Sequence, residues 1–300
     1  MKKLSFIVSL PGENNYLSEQ AAAAKTAAER LNLDVKILNA LSDPVAQSQQ
    51  LLEIIQSRTA TRPDGIIAEP VTNAGLPRVA EAAVNAGIGW VISNAQVDYM
   101  AQLRKIARAP VFALSQDHIE IGHMQGRQFA ALLPQGGSIL YLRGPASNSL
   151  ATQRNEGIDT AVPANIQIKT LKIQWTEENA YKSVTSWLRL QTVHAEDTHL
   201  IASQNIDFIL AARRAFQDCT QGAERAKWLT LPYTAAGVPR QTRPLVDNGT
   251  LAAAVITSLT TDVALEMLVK GLQNGSQPAE HTLMRATSYP EFEALAKNRA

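Results

Sequence analysis

Several amide side chains and one phenol stand directly behind short apolar runs. Asn14, Asn15 and Tyr16 follow Leu4-Ser5-Phe6-Ile7-Val8-Ser9-Leu10 and the turn residues Pro11-Gly12-Glu13. Asn94 follows Gly89-Trp90-Val91-Ile92-Ser93, and Asn205 follows the run at 199–203 and Gln204. An amide both donates and accepts hydrogen bonds, which suits a hydroxylated ligand. The competing role for Asn14 is a turn at a helix start. For Asn94 and Asn205 it is an N-cap, which is compatible with binding; Asp207 reads as a helix cap. No catalytic arrangement accompanies these groups. The first turn lacks the GxGxxG phosphate fingerprint, and no GxSxG elbow occurs. His118, His123, His194, His199 and His281 lack metal-ligand spacing, and His118 and His123 read as solvated helix residues. Cys219 is the only cysteine, so it forms no internal disulfide, and it reads as a small apolar residue packed on a helix. These readings predict no enzyme, no cofactor and no metal.

The apolar runs are short and rich in β-formers, as strands buried on both faces should be. A helical pattern follows the first, with Ala21, Ala24, Ala28 and Leu31 at helical spacing. Further strands are predicted at 34–38, 64–68, 89–93, 111–114, 138–142, 166–173, 199–203, 228–231, 251–257 and 283–287. Helices are predicted at 44–57, 76–86, 115–133, 179–191, 208–218 and 263–272, with one more holding Arg154 and Gly157. Pro44 fits the first turn of its helix, and Gly87 fits a C-terminal cap. Polar loops at 69–73, 94–96, 144–149, 204–205 and 232–234 leave the strands. The βαβα alternation predicts an α/β fold with parallel sheets and right-handed crossovers. The count suits two similar sheets of about five or six strands each. No low-complexity segment or Gly/Ser linker is present, which implies two lobes joined by several short crossings. In open α/β sheets ligands bind at the carboxyl ends of strands, so the loops must carry the function.

Composition narrows the class. The chain has 300 residues, 45% apolar and 18% charged, with a net charge of +1. That length accommodates two α/β domains, and the charge balance argues against nucleic-acid or membrane surfaces as partners. No stretch is long enough to span a membrane. Met1-Lys2-Lys3 resembles the charged start of a signal peptide, but the apolar run behind it ends too soon, at Pro11-Gly12-Glu13. It therefore reads as the first strand, leaving either a cytoplasmic protein or one whose leader was removed.

Six patterns in order carry a resemblance: Asn14-Asn15-Tyr16-Leu17, Asp64-Gly65-Ile66-Ile67, Ala86-Gly87-Ile88-Gly89-Trp90-Val91-Ile92, Gln153-Arg154-Asn155-Glu156-Gly157, Gln204-Asn205-Ile206-Asp207 and Gly249-Thr250-Leu251-Ala252-Ala253-Ala254-Val255. From about residue 3 to 285 the chain resembles the type I periplasmic binding proteins, specifically the ribose-binding-like sugar receptors, whose fold also forms lactose-repressor-like effector domains. The resemblance implies two doubly wound, Rossmann-like parallel-sheet lobes with a ligand cleft between them and three hinge crossings, near 114–116, 257–259 and 285–287. The amino-terminal lobe would hold 1–114 and 258–284, and the carboxy-terminal lobe 115–257 and 285–300.

The resemblance also implies site residues. Asn14, Asn94 and Asn205 match ligand-binding positions, and Tyr16 and Trp175 match an aromatic pair, one from each lobe. A flat ring can cover the C–H face of a sugar, although both could simply pack against helices. The binding arginine's position falls at Arg154 or Thr152. Tyr233, or Pro232, stands where the family has Asp, Thr257 or Ser258 where it has Gln, and Ala95 at an Arg position. Fewer charges than in the ribose receptors imply another ligand, a neutral sugar, polyol or related small molecule. The resemblance implies a non-enzymatic, monomeric, periplasmic receptor that closes on its ligand and meets an ABC permease or a membrane sensor kinase. The alternative is a cytosolic sugar-sensing effector domain, favoured by the lack of a leader in the chain as read.

Overall fold

The structure is a computed structural model that describes residues 3–59, 61–72, 74–146, 148–190 and 193–297. Asn73, Ser147 and Gln191, which fall in two predicted loops and at one predicted helix end, lie outside the described residues.

The chain runs β1 (Ser5–Leu10), α1 (Asn15–Leu31), β2 (Asp34–Asn39), α2 (Pro44–Gln56), β3 (Gly65–Ala68), α3 (Pro77–Asn85), β4 (Gly89–Ser93), α4 (Met100–Ile106) and β5 (Val111–Gln116). Next come α5 (His118–Leu132), β6 (Gly137–Arg143), α6 (Ser149–Ala161), β7 (Ile166–Lys172), α7 (Glu177–Leu188), β8 (Leu200–Ser203), α8 (Ile206–Cys219), α9 (Gly222–Thr230), β9 (Tyr233–Gly237), α10 (Pro239–Asp247) and β10 (Ala253–Ile256). The last elements are α11 (Thr261–Asn274), β11 (His281–Met284), β12 (Thr287–Tyr289) and α12 (Phe292–Lys297). They sort into two compact units, Met1–Gln116 with Leu259–Met284, and Asp117–Ser258 with Arg285–Ala300.

The first unit has a six-stranded sheet ordered β11-β5-β4-β3-β1-β2, parallel throughout. Alternate residues of its strands point to opposite faces, as the pleat requires. Phe6, Val8, Ile67, Val91, Phe112 and Leu114 pack with α1 and α11 through Ala24, Ala28, Leu265 and Leu268. Ile7, Ile66, Trp90, Ile92 and Val111 pack with α2, α3 and α4 through Leu51, Val79, Ala83 and Leu103. Both faces are covered, which is why the strands read as unbroken apolar runs.

The second unit repeats the plan as β12-β10-β9-β8-β6-β7. Leu140, Leu142, Ile201 and Ile256 meet Val184, Phe208, Phe216 and Trp228 on one face. Ile139, Tyr141, Leu200 and Ala202 meet Phe129 and Ile158 on the other. The pair α5 and α6 packs closely because of two glycines. A Cβ on Gly122 would stand 2.1 Å from the Arg154 carbonyl oxygen, and one on Gly157 2.0 Å from that of Ile119.

Two predicted elements differ. The segment predicted as a strand at 228–231 ends α9, because Trp228 stacks on Phe216 of α8 (ring centroids 4.7 Å apart, 5° between planes) and Gly222-Ala-Glu-Arg-Ala-Lys favours helix. The strand follows at Tyr233. The single strand predicted at 283–287 is two, β11 beside β5 in one sheet and β12 in the other, because the chain passes between units at Met284–Arg285. β12 runs antiparallel to β10, so the second sheet is not wholly parallel. Helices α4, α10 and α12 were not anticipated. Cys219 is exposed at the last residue of α8 rather than packed, with Sγ 3.6 Å from the Thr185 hydroxyl.

Candidate functional site

In the first unit the carboxyl ends of β1, β3 and β4 meet the amino ends of α1 and α11 in a network of amide, hydroxyl and carboxyl hydrogen bonds. Asn14 caps α1, its Oδ1 accepting from the Leu17 N–H at 2.8 Å while its backbone stays extended. An N-cap of this kind is worth about 1 kcal/mol and occupies one amide atom only. Tyr16, half-buried on the first turn, accepts from Gln20 Nε2 at 2.5 Å and from Asn94 Nδ2 at 2.7 Å. Asn94 leaves β4 with φ +53°, a left-handed conformation that asparagine tolerates better than most residues. Its role is therefore partly one of backbone geometry, not the N-cap considered from sequence. Its Nδ2 also donates to Glu69 Oε2 at 3.1 Å, and its Oδ1 is buried without a partner.

Sequence reasoning missed Glu69, Gln20, Ser93 and Thr260. Gln20 is buried and joins the two helices: its Oε1 accepts from the Thr260 and Thr261 N–H groups, each at 3.1 Å, and its Nε2 donates to the Thr260 hydroxyl at 2.9 Å. Thr260 makes no capping bond of its own, so a side chain of α1 satisfies the open end of α11. Ser93 and Thr260 hydroxyls lie 2.6 Å apart. One signal was available, since Gln20 stands one helical turn beyond Tyr16 on an alanine-rich face. Glu69 begins a predicted strand-exit loop, and burial drives its carboxyl up to about 7 against the lowering pull of Asn94.

In the second unit Asn205 caps α8, with Oδ1 accepting from the Phe208 N–H at 3.0 Å, and Asn148 caps α6 in the same way. The half-buried Arg154 donates through Nη1 to the Gln204 carbonyl and through Nε to His118 Nδ1 at 3.2 Å. His118 is 4% exposed, so the solvated reading was wrong. Burial and then the Arg154 charge hold it well below the usual range, and it stays neutral. With Nδ1 accepting, the proton sits on Nε2, which is buried without a partner. The Thr152 hydroxyl is exposed and donates back to the Asn148 carbonyl at 3.2 Å. Thr257 is buried just beyond β10, its N–H donating to the Gly237 carbonyl at 2.9 Å.

Two predicted site residues stand differently from expectation. Tyr233 opens β9 at its amino end, opposite the strand exits, because the segment before it is helical. It is 1% exposed, and its hydroxyl donates to the Trp228 carbonyl at 2.8 Å, so it is a core residue. Trp175 does follow β7, but it stacks on Phe208 with centroids 5.4 Å apart and 26° between planes. Its six-membered ring fills the space a Cβ on Gly144 would take, at 2.4 Å. It is half-buried and packed against the core, with Nε1 buried and unpartnered. Among the described residues no group of three His, Cys, Asp or Glu is placed to hold a metal ion, and no helix is long and apolar enough to cross a membrane.

Two doubly wound units of one plan, each with amides and hydroxyls at its strand exits, define a solute-receptor architecture. The chain belongs to the family described as periplasmic binding protein domain, whose model matches residues 5–274. It is 21% identical over 281 residues to the galactofuranose-binding protein YtfQ of Escherichia coli K12, covering 92% of this chain and 84% of that one. It is 23% identical over 252 residues to the ribose import binding protein RbsB of the same organism, covering 84% and 78%. Among solved structures, an ABC transporter periplasmic solute-binding protein from Actinobacillus succinogenes with bound D-allose matches with a TM-score of 0.80 at 16% identity, over 99% of this chain and 100% of that one.

Proposed function

We propose that this chain is a non-enzymatic receptor for a small polyhydroxylated solute, a sugar or polyol, which it hands to an ABC-type permease. The carrying observation is the hydrogen-bonded cluster of Tyr16, Gln20, Asn94 and Thr260 at the strand exits of the first unit. Hydroxyl and amide groups both give and take hydrogen bonds, which matches the dual character of a sugar hydroxyl. The half-buried Tyr16 ring beside them offers a flat face for C–H surface. In the second unit Asn205 and Thr257 follow β8 and β10, Thr152 and Arg154 stand on α6 with Arg154 donating to the Gln204 carbonyl, and Trp175 adds a second ring. The relatives named for galactofuranose and ribose, and the likeness to a D-allose complex, support the same ligand class. None of the described edge residues pairs a nucleophile with a histidine base, which supports binding without turnover. In this reading the protein is periplasmic and acts as a monomer.

A thermal-shift screen against neutral sugars, polyols and sugar acids tests this. A ligand bound by the folded state alone raises stability by about 2.7 kcal/mol at one hundred times its Kd. At least one compound should raise the melting temperature in a concentration-dependent way and be recovered unchanged by mass spectrometry. A screen without any shift rejects the receptor reading, and product in excess of protein rejects the absence of turnover.

A further inference from the structure

Glu69 leaves β3 with its carboxylate inside the polar cluster of the first unit. Among the described residues its Oε2 accepts a single hydrogen bond, from Asn94 Nδ2 at 3.1 Å. That nitrogen is shared with the Tyr16 hydroxyl at 2.7 Å and lies 3.4 Å from the Thr260 hydroxyl, so little of its donor capacity is left for Glu69. From α2, Gln47 approaches only the backbone, donating to the Glu69 carbonyl at 2.8 Å and accepting from the Val71 N–H at 3.0 Å. Among the described residues no ion pair includes Glu69, and no neighbouring charge moves its titration. Beside it the Asn94 Oδ1 is buried and accepts nothing. The cluster is thus short of donors and of positive charge at one spot, where an acid and an amide oxygen stand together.

Glu69 is half-buried, and a carboxylate drawn out of water is usually paired with a cation or takes up a proton instead. Here the described residues supply none, at an edge where ligand is expected. An ammonium brings both missing components, a unit charge and several donors, and a charge-assisted bond is roughly twice as strong as a neutral one. A ligand hydroxyl can give the carboxylate a hydrogen bond but no charge.

Resting on the receptor reading above, we propose that Glu69 selects for an amino-substituted sugar or polyol, whose ammonium pairs with the Glu69 carboxylate beside Asn94. Tyr16 and Asn94 then orient the rest of the ligand, and Glu69 sets the preference for amine over hydroxyl at one ring position.

Calorimetric titration at pH 7.5 with matched pairs tests this: D-glucose and D-glucosamine, D-galactose and D-galactosamine, myo-inositol and an amino-deoxy-inositol, with the N-acetylated amines as uncharged controls. At least one amine should bind about tenfold more tightly than its hydroxyl partner, and N-acetylation should remove that advantage. In Glu69→Gln, checked for folding by circular dichroism, the amine-to-hydroxyl ratio should fall at least about fivefold. If hydroxylated probes bind and the amines bind no better, or if the ratio survives Glu69→Gln, amine selection is overturned while the sugar or polyol reading stands. If no probe of either kind binds, the receptor reading falls and takes this inference with it.

Discussion

A single carboxyl and a single indole make the sharpest claims at the scale of the residue. Burial raises the Glu69 pKa to about 7 in the folded protein, from an ordinary value of 4.5. Below about pH 4.5 both folded and unfolded chains hold this proton, and it does not affect stability. Between 4.5 and 7 unfolding releases the proton, so this group's contribution to stability falls as pH rises; above 7 its penalty is complete. Glu69→Gln removes that slope. The stability of the variant relative to the parent should therefore rise from pH 5 to pH 8 in urea unfolding, and a constant difference would mean that Glu69 titrates normally. Trp175 makes a different prediction. With one face on Phe208 and an edge against Gly144, Trp175→Ala should destabilise the protein by about 3 kcal/mol, the lower end for a large aromatic because the ring is only half-buried. A loss below about 1 kcal/mol would show that the ring packs loosely and is free to serve a ligand.

At the scale of elements, the close approach of α5 and α6 holds Arg154 beside His118 and Gln204. Gly157 permits that approach, since a Cβ there meets backbone atoms, which cannot rotate aside as a side chain can. Gly157→Ala should cost about 3 kcal/mol, at or beyond the upper end of ordinary overpacking, and the helices should separate slightly. Arg154 would move with α6, so under the proposed receptor role ligand affinity should fall even when the variant is fully folded at low temperature. Denaturant unfolding and titration on one sample check both parts. In the first unit Gln20 links α1 to α11 and fixes the Tyr16 hydroxyl, so a buried amide well inside a helix supports the strand-exit cluster.

At the scale of the whole molecule, the chain passes between units at Gln116–Asp117, Ser258–Leu259 and Met284–Arg285. The first unit is therefore completed by residues that follow the second in sequence. α11 covers one face of the first sheet with Leu265 and Leu268, both fully buried, and each contributes about 1.5–3 kcal/mol by burial. A chain ending at Ser258 loses that face and the strand β11. It should bind a hydrophobic dye and lack a cooperative unfolding transition for the first unit, while the same measurement on the full chain should show cooperative loss. A truncated chain that melts cooperatively in both units would refute this dependence.

Local chemistry wrote much of this into the sequence. The apolar runs and Asx-type helix starts made the strands and most helices legible, because both faces of each sheet are covered and the caps are read within a few residues. Asn14, Asn94 and Asn205 could be placed at strand exits for the same reason, and the six ordered patterns pointed to the family. The sequence could not tell that residues 222–230 form a helix, since a short apolar run fits either state until Trp228 finds Phe216 across a turn of chain. That one ambiguity moved Tyr233 from a binding loop into the core. Nor could it tell that Gln20 reaches Thr260, 240 residues away, or that Glu69 lies beside Asn94 without a cation. Such partners are fixed by the parallel crossovers that bring distant strand ends to one edge, and long-range contacts of that kind leave no local pattern. Periodicity and capping determined the elements of this protein; which side chains share an environment, and hence that Glu69 has no cation beside it among the described residues, was decided only by the tertiary packing within each unit.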